Sequence, residues 1–148
     1  MKFLFITTDD PKQIKNKANK KGIDPKKLII HPAKREEVPT YLSLADVAIF
    51  FIQPVFSKSG SSPTKHGEML GMGLPVIANS GVGDVDRIIE ATNSGLLVKE
   101  FTETAYENAI IQLDKLLEIP ISELQNAAQE YYSLEKGVEK YDKVYRSV

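Results

Sequence analysis

The sequence contains no cysteine, which excludes disulfides, thiolate metal sites and a cysteine nucleophile. It has two histidines, His31 and His66, and no carboxylates converge on either along the chain, so no metal site is expected. Neither charge sign dominates. Nineteen basic residues against twenty acidic ones leave a net charge of −1, which gives no reason to expect a nucleic-acid partner. Long apolar runs are also missing: Met1–Ile6 gives way to Thr7-Thr8-Asp9-Asp10, too short for a signal peptide or a membrane span. The expected location is therefore the cytoplasm. No GxGxxG or Walker pattern is present, so an ordinary dinucleotide or P-loop site is not expected. Repeats, low-complexity tracts and interdomain linkers are absent as well.

What is present suits one ordinary soluble domain of 148 residues, 42% hydrophobic and 26% charged, long enough to bury a core. The early lysines (Lys12, Lys15, Lys17, Lys20, Lys21, Lys26 and Lys27) have no apolar stripe or interleaved aromatics, so they read as a solvated face. Five short apolar runs read as strands: Phe3–Thr8, Leu28–His31, Asp46–Ile52, Pro75–Ala78 and Leu96–Val98. Most are continuously apolar, as in parallel sheets covered on both faces. Helical punctuation separates them. Pro11 and Gly22 bracket the first helix, Arg35–Leu44 forms the second, Pro63–Met72 the third, and Asp84 opens a fourth that runs to Thr92. Beyond Val98 the pattern is helical. Thr104–Glu107 and Ser122–Gln125 read as capping boxes, Ala105, Ala109, Leu113, Leu116 and Leu117 share one face, and a last helix starts near Ser133. The tyrosines Tyr131, Tyr132, Tyr141 and Tyr145 read as packing residues. The fold class is α/β, a Rossmann-like doubly wound parallel sheet of about five strands with extra C-terminal helices over 120–148. Ligands in such sheets bind outside the carboxyl ends of the strands.

Two loops at that edge carry the chemistry. After the third strand comes Val55–Ser62, then Pro63. Ser62 suits the N-cap and Pro63 the first turn, so free N–H groups, the helix dipole and nearby hydroxyls make a site for phosphate. Lys58 and Lys65 can add positive charge. Thr64 and Glu68 share a helix face, and Glu68 lies roughly 6 Å further along the axis, about the offset from a phosphate to a ribose. The plain alternative is a solvated surface glutamate. Gly67 and Gly71 indicate close approach of something, with tight packing the plain explanation for Gly71. The second loop, Asn79–Asp84, has glycines that permit positive φ and a helix start capped by Asp84, as in any tight strand-to-helix turn.

The block Ser61–Ala78 resembles the nucleotide-sugar site of group 1 retaining glycosyltransferases with the GT-B fold. Val38–Val47 looks like that family's helix into the fourth strand of its C-terminal domain, and Tyr132–Tyr145 is similar to its closing helix. The resemblance implies a nucleotide-diphosphate-sugar donor and no other cofactor. Glu68, seven residues before Pro75, matches the ribose-binding glutamate, Ser62, Pro63 and Thr64 match the loop whose main chain meets the diphosphate, and Gly60, Ser61 and Lys65 beside them are expected in the same site. His31 with Pro32 matches the region beside the nucleobase, although an exposed surface role fits it equally, and His66 reads as exposed helix surface. The family often has a second glutamate eight residues before the ribose one, near the transferred sugar. Here that position is Gly60.

The resemblance also implies a sugar transfer to an acceptor in glycan or surface-polysaccharide synthesis. Such an enzyme needs an acceptor-binding N-terminal domain, so the chain reads as a partial donor-binding domain, inactive alone, and cytoplasmic or held at the inner membrane face by the full enzyme. The first strand of the family's C-terminal domain is also missing from the pattern. The expected order is therefore 2-1-3-4-5, with Phe3–Thr8 paired to Asp46–Ile52 and the last helix free as a dimer surface. No residue reads as a general acid or base. The alternatives are a non-catalytic nucleotide- or phosphate-binding module and a receiver-type signalling domain. Asp9-Asp10 imitates the receiver's acidic pair, but its phosphoacceptor position holds Ile52-Gln53-Pro54.

Overall fold

A computed structural model describes residues 1–147, and the chain divides into two compact units, residues 1–45 and residues 46 onward. In the first, β1 (Phe3–Ile6) and β2 (Leu28–His31) pair in parallel, Phe3 opposite Leu28 through Ile6 opposite His31. Between them runs α1 (Pro11–Lys20). Its start combines Pro11, which has no N–H to leave unsatisfied, with the Asp10 carboxylate accepting the Lys12 N–H at 2.9 Å. The helix stops before Gly22, whose φ of +75° suits the turn out. Asp24 repeats the device for a 3₁₀ turn, Pro25–Lys27. The seven lysines are exposed, as the solvated-face reading expects. Asp10 is thus a helix cap, and the described residues contain no group of three or more His, Asp or Glu able to hold a metal. The expected helix 35–44 is a 3₁₀ turn, Arg35–Glu37, that leads into α2 (Val38–Leu42). Pro39, which lacks an N–H, is accommodated in the first turn of that helix.

The second unit holds β3 (Ala48–Phe50), α3 (Phe56–Ser59), α4 (Thr64–Gly71), β4 (Val76–Asn79), α5 (Val85–Thr92) and β5 (Gly95–Val98). It continues with α6 (Glu103–Ile111), α7 (Leu113–Leu117), α8 (Ile121–Tyr132) and α9 (Leu134–Tyr145). β4 is central, parallel to β3 and β5, and its four residues are all buried. Ile77, Val98 and Leu116 form a core against which Ala105, Ala109 and Leu113 pack. That is the expected stripe, less Leu117. The helix breaks at Gln112 into α6 and α7, and the break leaves Leu117 52% exposed.

The expected single sheet of order 2-1-3-4-5 is not what these ladders form. β1 pairs with β2, and β3-β4-β5 make a separate three-stranded sheet, so the sub-orders agree but no β1–β3 ladder occurs among the described residues. The strands are short, and only β4 is covered on both faces. Phe5, Ile29 and Ile49 each expose more than two-fifths of their surface. β3 is shorter than expected because its backbone leaves the ladder after Phe50. The Asn79 side chain continues the pairing there. It accepts the Ile52 N–H at 2.7 Å and donates to the Ile52 and Ser80 carbonyls at 2.8 and 2.9 Å.

Two caps differ from the sequence reading. Thr102, not Thr104, caps α6, accepting the Ala105 N–H. α8 begins at Ile121 behind Pro120, with no side-chain cap from Ser122. Ser133 caps α9 as expected, and that helix exposes Leu134, Val138, Tyr141 and Tyr145 along one stripe. No helix among the described residues is long and apolar enough to cross a membrane.

Because Asn79 is buried and makes three hydrogen bonds, Asn79→Ala strands the Ile52 backbone groups. The expected loss is about 2–3 kcal/mol of stability in chemical denaturation, with the fold retained.

Candidate functional site

The two loops singled out from sequence touch each other. The carbonyl of Lys58, near the end of α3, accepts both the Ser61 N–H at 3.2 Å and the Gly83 N–H at 3.0 Å. Gly83 has φ +52°, and a Cβ there would collide with the Ser61 carbonyl, so only glycine lets the loops lie this close. They are joined again by side chains. Ser62 Oγ donates to Asp84 Oδ1 at 2.7 Å, and Arg87 pairs with the same carboxylate at 3.3 Å.

This arrangement corrects two expectations. Ser62 does not cap α4; the N-cap is buried Pro63, and no side chain caps that helix, because the serine hydroxyl is turned to Asp84. Asp84 stands at the N-cap of α5 but makes no capping bond, being engaged with Ser62 and Arg87. Nor is the second loop an open anion site. Asp86 fills it, accepting from Ser80 Oγ at 2.8 Å and from the Gly81 N–H at 3.3 Å. The start of α4 is the one left without a carboxylate of its own.

Along α4 the residues divide by face. Thr64 and Glu68 are exposed and line one groove of about 520 Å³, opposite Gln125, Gln129, Tyr132 and Ser133 of the C-terminal segment. Lys65 is also exposed, its ammonium 5.1 Å above the centre of the Phe50 ring. Gly60 ends α3 at an ordinary φ of −101°, with nothing within 4 Å of a Cβ placed there. The expected site residues Gly60, Ser61, Ser62, Pro63, Thr64, Lys65 and Glu68 thus form one continuous stretch of the second unit. His31 belongs to the first, at the end of β2. It is exposed, its ring tilted against that of Tyr41 and hydrogen-bonded to the Tyr41 hydroxyl at 2.9 Å.

His66 is not on the surface. It is fully buried, tilted against Phe50 and edge-on to Tyr132, with Nδ1 2.9 Å from the Tyr132 hydroxyl and Nε2 without a partner. Burial lowers its pKa to about 4, against a smaller upward pull from Asp84, so it is neutral at pH 7. Burial likewise pushes the Tyr132 phenol up to about 12. Sequence missed this pair, since helical spacing alone puts His66 beside exposed Lys65. The signal was Gly67. A Cβ there would lie 2.5 Å from Tyr132 Cγ, so what approaches closely is a tyrosine ring from α8. Gly71 faces Ala128 at an ordinary 3.9 Å.

A family profile described as glycosyl transferases group 1 matches residues 1–115, which include both loops and the whole of α4. The chain belongs to this family. None of the curated proteins matches it. As a member of the group 1 glycosyltransferases, the chain has a C-terminal-like GT-B domain, and glycosyl transfer is the chemistry of that family.

Two expectations follow. Gly67→Ala forces α4 and α8 apart and costs about 1–3 kcal/mol in chemical denaturation. Gly60→Ala, which meets nothing, stays within about 0.5 kcal/mol of the parent. The second concerns pH. His66 takes up a proton near 6.5 when unfolded but only near 4 when folded, so the unfolded state binds more protons between those values. Stability is therefore fully present above pH 6.5 and falls as pH drops towards 4, by on the order of 3 kcal/mol. Denaturation midpoints from pH 7 to 4 are expected to be flatter for His66→Gln than for the parent.

Proposed function

We propose that this chain forms the donor-binding part of a glycosyltransferase and holds a nucleotide-diphosphate-sugar at the start and exposed face of α4. The observation that supports this reading most is the pairing of an uncapped helix start with a groove shared by Thr64 and Glu68. A diphosphate at Thr64 meets backbone N–H groups and the positive end of the helix dipole. The groove beyond is lined by one carboxylate, amides and hydroxyls, with no cation, so it suits a neutral, hydroxyl-rich moiety rather than a second phosphate. Its volume lies within the usual range for small-molecule sites. Glu68 there accepts hydrogen bonds from ribose hydroxyls. Lys58 and Lys65 supply positive charge at the mouth.

In transfer, the departing nucleoside diphosphate gains charge as the glycosidic bond breaks, and oriented N–H groups stabilise it without reorganisation. The chain's part is to position the donor and stabilise the leaving group, and an acceptor-binding domain completes the enzyme. Glycan or surface-polysaccharide synthesis is the setting that fits, at the cytoplasmic side, with the uncovered α9 stripe a surface for self-association.

Calorimetric titration of the common nucleoside diphosphates and of inorganic pyrophosphate tests this. Glu68→Ala is expected to weaken the preferred nucleoside diphosphate about 10- to 100-fold, as loss of a charged hydrogen bond implies, and to leave pyrophosphate unchanged. Equal binding of the nucleotide by parent and variant removes the ribose assignment.

A further inference from the structure

The donor reading leaves the other wall of the groove unexplained, the face of α8 that carries Gln125 and Gln129. Packing fixes the register of the two walls. Gly67 meets Tyr132 and Gly71 meets Ala128, so α4 and α8 run antiparallel. Glu68 and Gln129 both fall in the single turn between those contacts, and both line the groove. Thr64 and Ser133 lie on the near side of that turn, by the start of α4, with Gly71 and Gln125 on its far side. The groups of the α8 wall differ in what they have left to offer. The Gln125 amide donates to the Gly71 carbonyl at 3.4 Å, the Tyr132 hydroxyl lies 2.9 Å from His66 Nδ1, and Ser133 Oγ accepts the Lys136 N–H as the cap of α9. The side chains of Gln129 and Glu68 are exposed and make no hydrogen bond among the described residues, to each other or elsewhere. One turn of the groove therefore sets an unspent amide across from an unspent carboxylate, with space between them.

We propose that Gln129 is a further binding residue for the donor, the hydrogen-bond donor that answers Glu68 across the groove, and that together they select a ribose over its deoxy forms. A carboxylate only accepts, whereas a glutamine amide also donates through two N–H groups. A hydroxyl does both. Once a ribose hydroxyl has given its proton to Glu68, its oxygen still has a lone pair to fill, and Gln129 supplies an N–H from the opposite wall. A carbon that bears hydrogen in place of the hydroxyl satisfies neither residue. The diphosphate, one turn back beside Thr64, lies outside this contact. α8 lies beyond the residues matched by the family profile. The role of Gln129 rests on the donor reading above and extends it from α4 to the second wall.

Calorimetric titrations of the full chain test it, with the diphosphates of adenosine, guanosine and uridine, their 2′-deoxy and 3′-deoxy forms, and inorganic pyrophosphate as probes. Gln129→Met keeps the length and helix propensity of this exposed side chain and removes the amide. It is expected to bind the preferred ribonucleoside diphosphate about fivefold more weakly than the parent, as loss of one neutral hydrogen bond implies. With one of the two deoxy forms, and with pyrophosphate, variant and parent are expected to bind alike. Parent-like binding of the ribonucleotide by Gln129→Met overturns the role of Gln129. So does a loss of equal size with the ribonucleotide and both deoxy forms, which a merely structural effect would give. In either case a loss in Glu68→Ala leaves the donor reading standing. A parent that binds no nucleoside diphosphate sinks the donor reading and the role of Gln129 together.

Discussion

The contact between α4 and α8 sets the geometry of everything near Glu68. Three positions of the α4 segment meet α8 in reverse order: Gly67 against Tyr132, Gly71 against Ala128, and Gly73 against Ile121. The helices therefore run antiparallel, and at both ends a glycine makes room for a large side chain. A side chain at residue 67 or 73 would enter space that Tyr132 or Ile121 already fills. Because α4 starts directly after the Ser61–Ser62 loop, fixing the helix also fixes where that loop lies. The loop is in turn wedged against Gly83, so α4, α5 and α8 are mutually constrained through glycines rather than through one large apolar cluster.

Much of this was legible in the chain. Strand positions came from apolar runs, and the Thr64–Glu68 face came from helical spacing alone. What escaped were side chains whose partners lie far away in sequence. His66 sits 66 residues from Tyr132, and no local pattern distinguishes a buried imidazole from an exposed one on a short helix. Gly67 did signal a close approach, but a ligand and a tyrosine ring leave the same mark. The competition between Asp84 and Asp86 was equally hidden. Either can serve a helix start, and only the neighbouring loop decides that Asp84 meets Ser62 while Asp86 takes the Gly81 amide. Thr102 and Thr104 show the local version of the same limit, two identical residues within reach of one helix start. The expected pairing of β1 with β3, which the ladders among the described residues do not include, has another origin. Apolar runs identify strands, but they do not say which strand edges meet.

The charges around the loop pose a difficulty that the structure partly resolves. Asp84 beside Ser62 brings negative charge to a place proposed for a diphosphate. Arg87 sits 3.3 Å from that carboxylate, yet the pair is substantially exposed, so its attraction is weak and cannot by itself cancel the effect. Ser62 adds to this, because its hydroxyl proton points at the Asp84 carboxylate and takes up part of its charge. His66 is neutral for a separate reason: a second proton on its ring would put an unpaired cation between Phe50 and Tyr132.

Gly60 bears on specificity in a different way. The related enzymes often place a glutamate there to meet the transferred sugar, whereas here the position is open, exposed and conformationally ordinary. Neither packing nor backbone strain requires glycine, in contrast to Gly67, Gly73 and Gly83. A carboxylate at that point would stand on the same loop as the Asp84–Ser62 contact and add negative charge beside the start of α4, where a diphosphate is proposed. With a carboxylate already held there by Ser62, a second one raises the electrostatic cost of binding an anionic donor. A glutamate at residue 60 would add to the charge that Ser62 and Arg87 already meet at Asp84.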